Sequence, residues 1–136
     1  MLETPSFVAS GNISPSRFVA LSTAQDFTVL QGTDVLVPFG VSQPGTQEAP
    51  GTAADSGYAA TDGKVIKVYG PGETALLELG GTVTRGDWLK PDANGKGVTA
   101  SIASATVIYY GARALRSGVS GEKVPVYVFP YPATTA

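Results

Sequence analysis

The chain has 136 residues, with 9 basic and 11 acidic side chains, a net charge of −2, and neither histidine nor cysteine. That length is one domain's worth, and without a run of basic side chains there is no footprint for a phosphate backbone, so nucleic acid is not an expected partner. The missing residue types remove disulfides, thiolate nucleophiles, the commonest general base and the commonest metal ligands together; no metal, no cofactor, no catalytic residue and no small-molecule substrate is expected.

Charged residues make up 15% of the chain, while 17 glycines and 10 prolines interrupt any helical stripe. The expected fold class is therefore all-β: a small compact β-barrel or β-sandwich of about nine short strands with an extended N-terminal arm. No stretch approaches the roughly eighteen apolar residues of a membrane span, and the opening MLETPSFVAS lacks an apolar segment of signal-peptide length. No membrane partner is expected, and the protein is expected to be soluble and used where it is made.

In chain order, residues 1–16 carry Pro5, Gly11 and Pro15 among Ser, Thr and Asn, and read as an extended arm whose large apolar side chains are Phe7, Val8 and Ile13. Residues 17–130 read as the β domain and 131–136 as a short tail. Arg17 to Ser22 and Phe27 to Gln31 are strands about a polar turn, and Asp34 opens a further strand in which Pro38 marks an edge or a bulge. Residues 43–57 are a surface loop of a length at which loops carry function or move. Lys64 to Tyr69 and Thr74 to Leu79 flank Gly70-Pro71-Gly72-Glu73, which predicts a β-hairpin with Leu77 and Leu79 in the core. Gly80-Gly81 and Gly86-Asp87 are reversals, and Asn94-Gly95 suits a type I′ loop before Val98. Strands at Thr106 to Tyr110, Ala112 to Arg116 and Val124 to Phe129 complete the set.

Two of these strands are apolar on both faces. Val107 and Tyr109 alternate with Ile108 and Tyr110, and Val124, Val126 and Val128 alternate with Tyr127 and Phe129. A one-layer barrel buries only its inward face, so something covers the outer one: a loop closing a sandwich, or a subunit interface through Tyr109, Tyr110, Tyr127 and Phe129.

Sequence patterns that resemble functional motifs have simpler explanations. Glu73 and Glu78 lie on opposite faces of one strand. Asp92 to Gly97 begins like a calcium loop but has Lys96 at the fifth position and Ala103 at the twelfth. Arg85-Gly86-Asp87 is a reversal, the sequon Asn12-Ile13-Ser14 has no export signal to serve, and neither glycine pair precedes a helix that would hold phosphate.

Four blocks carry a family resemblance: Gly11 to Val19, Asp62 to Val68, Val83 to Gly97, and Gly111 to Leu115 with Gly118, Gly121-Glu122 and Val124 to Val126. In order and spacing they resemble the capsid cement, or head decoration, proteins of tailed bacteriophages. The resemblance implies a non-enzymatic virion protein, commonly a homotrimer, that is assembled in the host cytoplasm and binds the major capsid protein on the outer surface of an expanded head. On that reading Phe7, Val8, Ile13 and Arg17 are the capsid-binding residues. The rival expectation is a β-barrel binding module on a fibre or tail, or a carbohydrate-binding domain using Trp88 with Asp87 or Tyr58 with Asp55, with a carboxylate-based hydrolase a more distant third.

Overall fold

Short runs of β-branched, aromatic and aliphatic residues punctuated by Gly and Pro form eleven strands in a computed structural model that describes residues 7–34, 36–45, 57–100 and 107–134, the side chains of 107–109 and 131–134 excepted. They are β1 (Phe7–Ala9), β2 (Phe18–Leu21), β3 (Thr28–Gln31), β4 (Gly40–Ser42), β5 (Val65–Ile66), β6 (Val68–Tyr69), β7 (Thr74–Glu78), β8 (Trp88–Pro91), β9 (Gly97–Thr99), β10 (Val107–Ala114) and β11 (Lys123–Thr134). No described residue is helical, and the all-β expectation holds.

The strands make two sheets, ordered β5-β1-β3-β2-β4-β6 and β7-β11-β10-β8-β9. Both close on themselves. In the first, the outermost strands β5 and β6 are successive pieces of one run of chain; in the second, a parallel bridge between Leu79 and Gly97 joins the end of β7 to β9. Closure removes free sheet edges, which is how small β domains avoid edge-to-edge pairing. Phe7, Ile13, Val19, Val29, Ile66 and Val68 fill the first barrel, and Leu77, Leu79, Val83, Leu89, Val124 and Val126 the second.

The second barrel repeats the first in register. Phe7↔Ile66 and Val8↔Val65 in the first correspond to Leu77↔Val124 and Glu78↔Lys123 in the second. Val19↔Gln31 corresponds to Leu89↔Thr99, Phe18↔Val41 to Trp88↔Arg113, and Val41↔Tyr69 to Arg113↔Tyr127. The bridges Ile13↔Ala60 and Val83↔Gly118 correspond too, as do the parallel pairs Ala9↔Val29 and Leu79↔Gly97. The chain is thus one barrel built twice, not a single barrel over 17–130.

Several expectations are corrected. Lys64–Tyr69 and Thr74–Leu79 do not form a hairpin: Gly70–Glu73 is a turn, with Gly72 at φ +87 and the Glu73 N–H donating to Gly70 C=O, but it crosses from one barrel to the other. β6 pairs with β4, and β7 with β11, because each strand completes its own barrel. The arm does not extend to residue 16, since β1 lies between β3 and β5 with Phe7 and Ile13 in the core; residues 1–6 lie outside the described residues. The tail from residue 131 is instead the end of β11, whose ladder with β10 runs to Val107↔Thr134. The strands expected on either side of Gly111 are one strand with a register shift between Tyr110 and Ala112. At Asn94-Gly95 only the glycine has positive φ, so the loop is not type I′; the Asp92 carboxylate accepts from the N–H groups of Asn94 and Lys96 and shapes it instead.

The repeat exposes one local conflict. Before β2, β5, β8 and β11 the chain makes the same turn, with a left-handed residue that is Gly63, Gly86 and Gly121 in three cases and Ser16, at φ +56, in the fourth. Ser16 is buried and its hydroxyl has no partner among the described residues. Ser16→Gly removes both the Cβ strain and the orphan hydroxyl, against a gain in unfolded-chain freedom, and is expected to stabilise the protein by about 1 kcal/mol. A urea midpoint equal to or below that of the parent would contradict this.

Candidate functional site

The two barrels are joined through the chain entering β2. Ser16 C=O accepts from the Glu78 N–H at 2.9 Å, and the Phe18 N–H donates to Gly95 C=O at 2.8 Å. In the first barrel the equivalent groups bond directly, Val8 N–H to Phe27 C=O at 2.9 Å. The second barrel therefore holds open a gap that the first closes, and residues 16–18 fill it. Arg17 donates to Asn94 C=O at 2.9 Å and pairs with Glu78 at 3.4 Å, while Lys96 reaches the same carboxylate at 3.2 Å.

Phe18, Val41 and Tyr69 form a row across β2, β4 and β6, and this row faces the second barrel. Phe18 and Val41 are both 0% exposed. A Cβ at Gly111 would overlap the Phe18 ring, so a bare backbone is what lets that ring seat on β10.

The corresponding row of the second barrel is Trp88, Arg113 and Tyr127, and no other barrel docks on it among the described residues. Trp88 is half-buried against Tyr110, with centroids 5.1 Å apart, and lies 6.4 Å from Phe129; Tyr127 stacks on Phe129 at 6.4 Å. Tyr127 and Phe129 are each 42% exposed. The Arg113 guanidinium sits 5.3 Å from the Trp88 ring centre while its Nε donates to Gly86 C=O at 3.1 Å, which fixes a cation over an aromatic face. The patch thus presents partly exposed aromatic rings around one oriented guanidinium.

The residues proposed from sequence scatter relative to this patch. Tyr127 and Phe129 lie on it, Tyr110 is buried beneath Trp88, and the side chain of Tyr109 is outside the described residues. Of the expected capsid-binding set, Phe7 and Ile13 are core, Val8 is half-buried on β1, and Arg17 belongs to the joint between the barrels, so these four do not form one exposed surface. For the carbohydrate alternative, the Asp87 carboxylate already accepts from the Thr84 N–H and the Thr99 hydroxyl, and Asp55 lies outside the described residues. Arg113 is the member of the patch that sequence reasoning passed over. What finds it is the pairing register, in which Phe18↔Val41 corresponds to Trp88↔Arg113; the turn segments Ile13 to Phe18 and Val83 to Trp88 share no identical residue that would signal it in the sequence.

No protein-family model matches the chain, and no curated protein does. Among solved structures, the head fiber gp8.5 N base in bacteriophage phi29 is similar at a TM-score of 0.63 and 17% identity, over 90% of this chain and 90% of that one. A likeness at that identity is one of fold.

Proposed function

We propose that this protein is a non-enzymatic structural component of a phage virion, a cement or decoration protein that binds the major capsid protein on the outer surface of the head, oligomerises there, most readily as a homotrimer, and stabilises the expanded shell. The observation that carries the proposal is the open aromatic row Trp88–Arg113–Tyr127 with Phe129: a rigid, apolar, multi-ring surface on a closed barrel is built for contact with other protein. The head-fibre base with a similar fold supports the setting. A protein that bridges shell subunits binds the assembled state alone and stabilises it by mass action. The same likeness favours one second reading, that the paired barrels are the base on which a fibre stands.

Purified protein is expected to sediment with expanded, undecorated heads of its own phage and to raise the temperature at which those heads release their DNA. Electron microscopy of the decorated heads then separates the readings, since a cement appears as compact density alone and a fibre base carries a projecting shaft. Protein that stays in the supernatant, together with a glycan-array signal abolished by Trp88→Ala, would overturn the proposal in favour of carbohydrate binding.

A further inference from the structure

From the repeat we infer that copies of this chain associate head to tail: the open aromatic face of one molecule's second barrel docks on the first barrel of the next, as the first barrel's own row docks on the second within each molecule. This rests on the oligomer part of the proposal above and specifies its geometry.

Phe18 of the first barrel is covered by the second. In the second barrel the covering surface is the Asp92–Lys96 loop with Gly95 at its tip, together with Gly111 on β10. Their counterparts in the first barrel are the Ser22–Thr28 loop with Phe27, and Phe39 just before β4; the loops correspond through Ser22 N–H to Thr28 C=O and Asp92 N–H to Lys96 C=O. No described part of the chain lies over that surface. Phe27 is 63% exposed on the Ser22–Thr28 loop, whose Thr23 joins Ala20, Leu21, Leu36, Phe39 and Val37, itself 54% exposed, in lining an apolar groove of about 350 Å³.

One molecule therefore carries both halves of a joint, a raised aromatic patch and an apolar groove, at positions that the duplication relates to an interface already formed inside it. Charge agrees: Arg113 is exposed at the centre of the patch, and Asp26 and Asp34 are exposed on the segments bordering the groove. Phe27 adds an independent observation. It holds φ +51 where the other loop has Gly95 at +78, so a large apolar residue is kept in a strained conformation and turned to solvent, a cost that a contact made by that ring would offset.

The joint between molecules differs from the one within. Val8 N–H bonds directly to Phe27 C=O and closes the gap that residues 16–18 fill in the second barrel, so copies meet through side chains without an inserted strand. A heterologous contact of this kind closes into a ring or runs on as a filament, and a homotrimer is the smallest ring it readily makes.

Two double variants test it, both at exposed positions: Tyr127→Asp/Phe129→Asp on the patch, and Phe27→Asp/Val37→Asp at the groove. Light scattering at the highest soluble concentration should give an oligomer for the parent and monomers for each variant, with far-ultraviolet circular dichroism and urea midpoints confirming that both remain folded. An equimolar mixture should then give heterodimers and nothing larger, because one intact joint survives per pair. A groove variant that still assembles, a mixture that stays monomeric, or a monomeric parent would each overturn the head-to-tail contact. Sedimentation of the parent and both variants with expanded heads is a separate readout: a monomer that still decorates heads removes this geometry and leaves the virion role standing, whereas an oligomer that ignores heads does the reverse.

Discussion

Phe18→Ala is expected to lower the unfolding free energy by about 3–5 kcal/mol, the range for deleting a fully buried ring and leaving a cavity. Phe18 is 0% exposed, belongs to the core that includes the second barrel, and lies over Gly111. Its N–H and the Ser16 carbonyl also carry the backbone bonds that tie residues 16–18 into the second barrel, so loss of the ring weakens the joint where the chain is already committed. Gly111→Ala provides the complementary measurement. In the parent the added Cβ meets the ring and must displace it, whereas in the Phe18→Ala background the space is free. The two substitutions should therefore be strongly non-additive in urea denaturation, with Gly111→Ala costing less in the double variant than alone. Additive effects would show that the ring does not seat on β10.

Leu77→Ala is expected to cost about 2–5 kcal/mol. Leu77 is 0% exposed in the middle of β7, pairs with Val124, and packs so closely on β9 that a Cβ at Gly97 would stand 2.5 Å from its Cδ2. Glu78→Gln is the control at the next position. Glu78 is partly exposed and holds Arg17 at 3.4 Å and Lys96 at 3.2 Å, and ion pairs in contact with solvent contribute only about 1 kcal/mol or less. The neutral amide keeps a hydrogen-bond acceptor for both cations, so its cost should be a small fraction of that of Leu77→Ala and should shrink further in high salt. Comparable losses at the two positions would mean that the alternation along β7 is displaced by one residue.

Local chemistry was legible in the sequence where it is decided within a few residues. Alternation placed Leu77 and Leu79 in the core, the glycines at 72, 86 and 95 marked positive-φ turns, and a chain rich in such turns and poor in helical stripes had to be all-β. The open aromatic face was half visible, because Val124 to Phe129 has apolar residues on both sides and a single barrel layer can bury only one of them.

Pairing was not legible, since a strand's side-chain pattern records which face is buried and not which neighbour supplies its hydrogen bonds. Lys64–Tyr69 and Thr74–Leu79 look like a hairpin because Gly70–Glu73 is a good tight turn, yet β6 finds β4 and β7 finds β11. Phe7 and Ile13 sit in a polar stretch that looks like an arm, and only the parallel ladder to β3 and the bridge from Ile13 to Ala60 bring them into a core. The duplication survives in few identical residues, Gly63 with Gly121, Val68 with Val126 and Tyr69 with Tyr127 among them, so it is the shared register that reveals it. Turn chemistry and composition by themselves determined the class of fold and that neither histidine nor cysteine is at hand. Tertiary structure alone decided that there are two barrels, that Phe18 is fully buried while Trp88 is only half-buried, and that Tyr127 and Phe129 are left partly exposed, because burial across a joint depends on contacts between residues far apart in the chain.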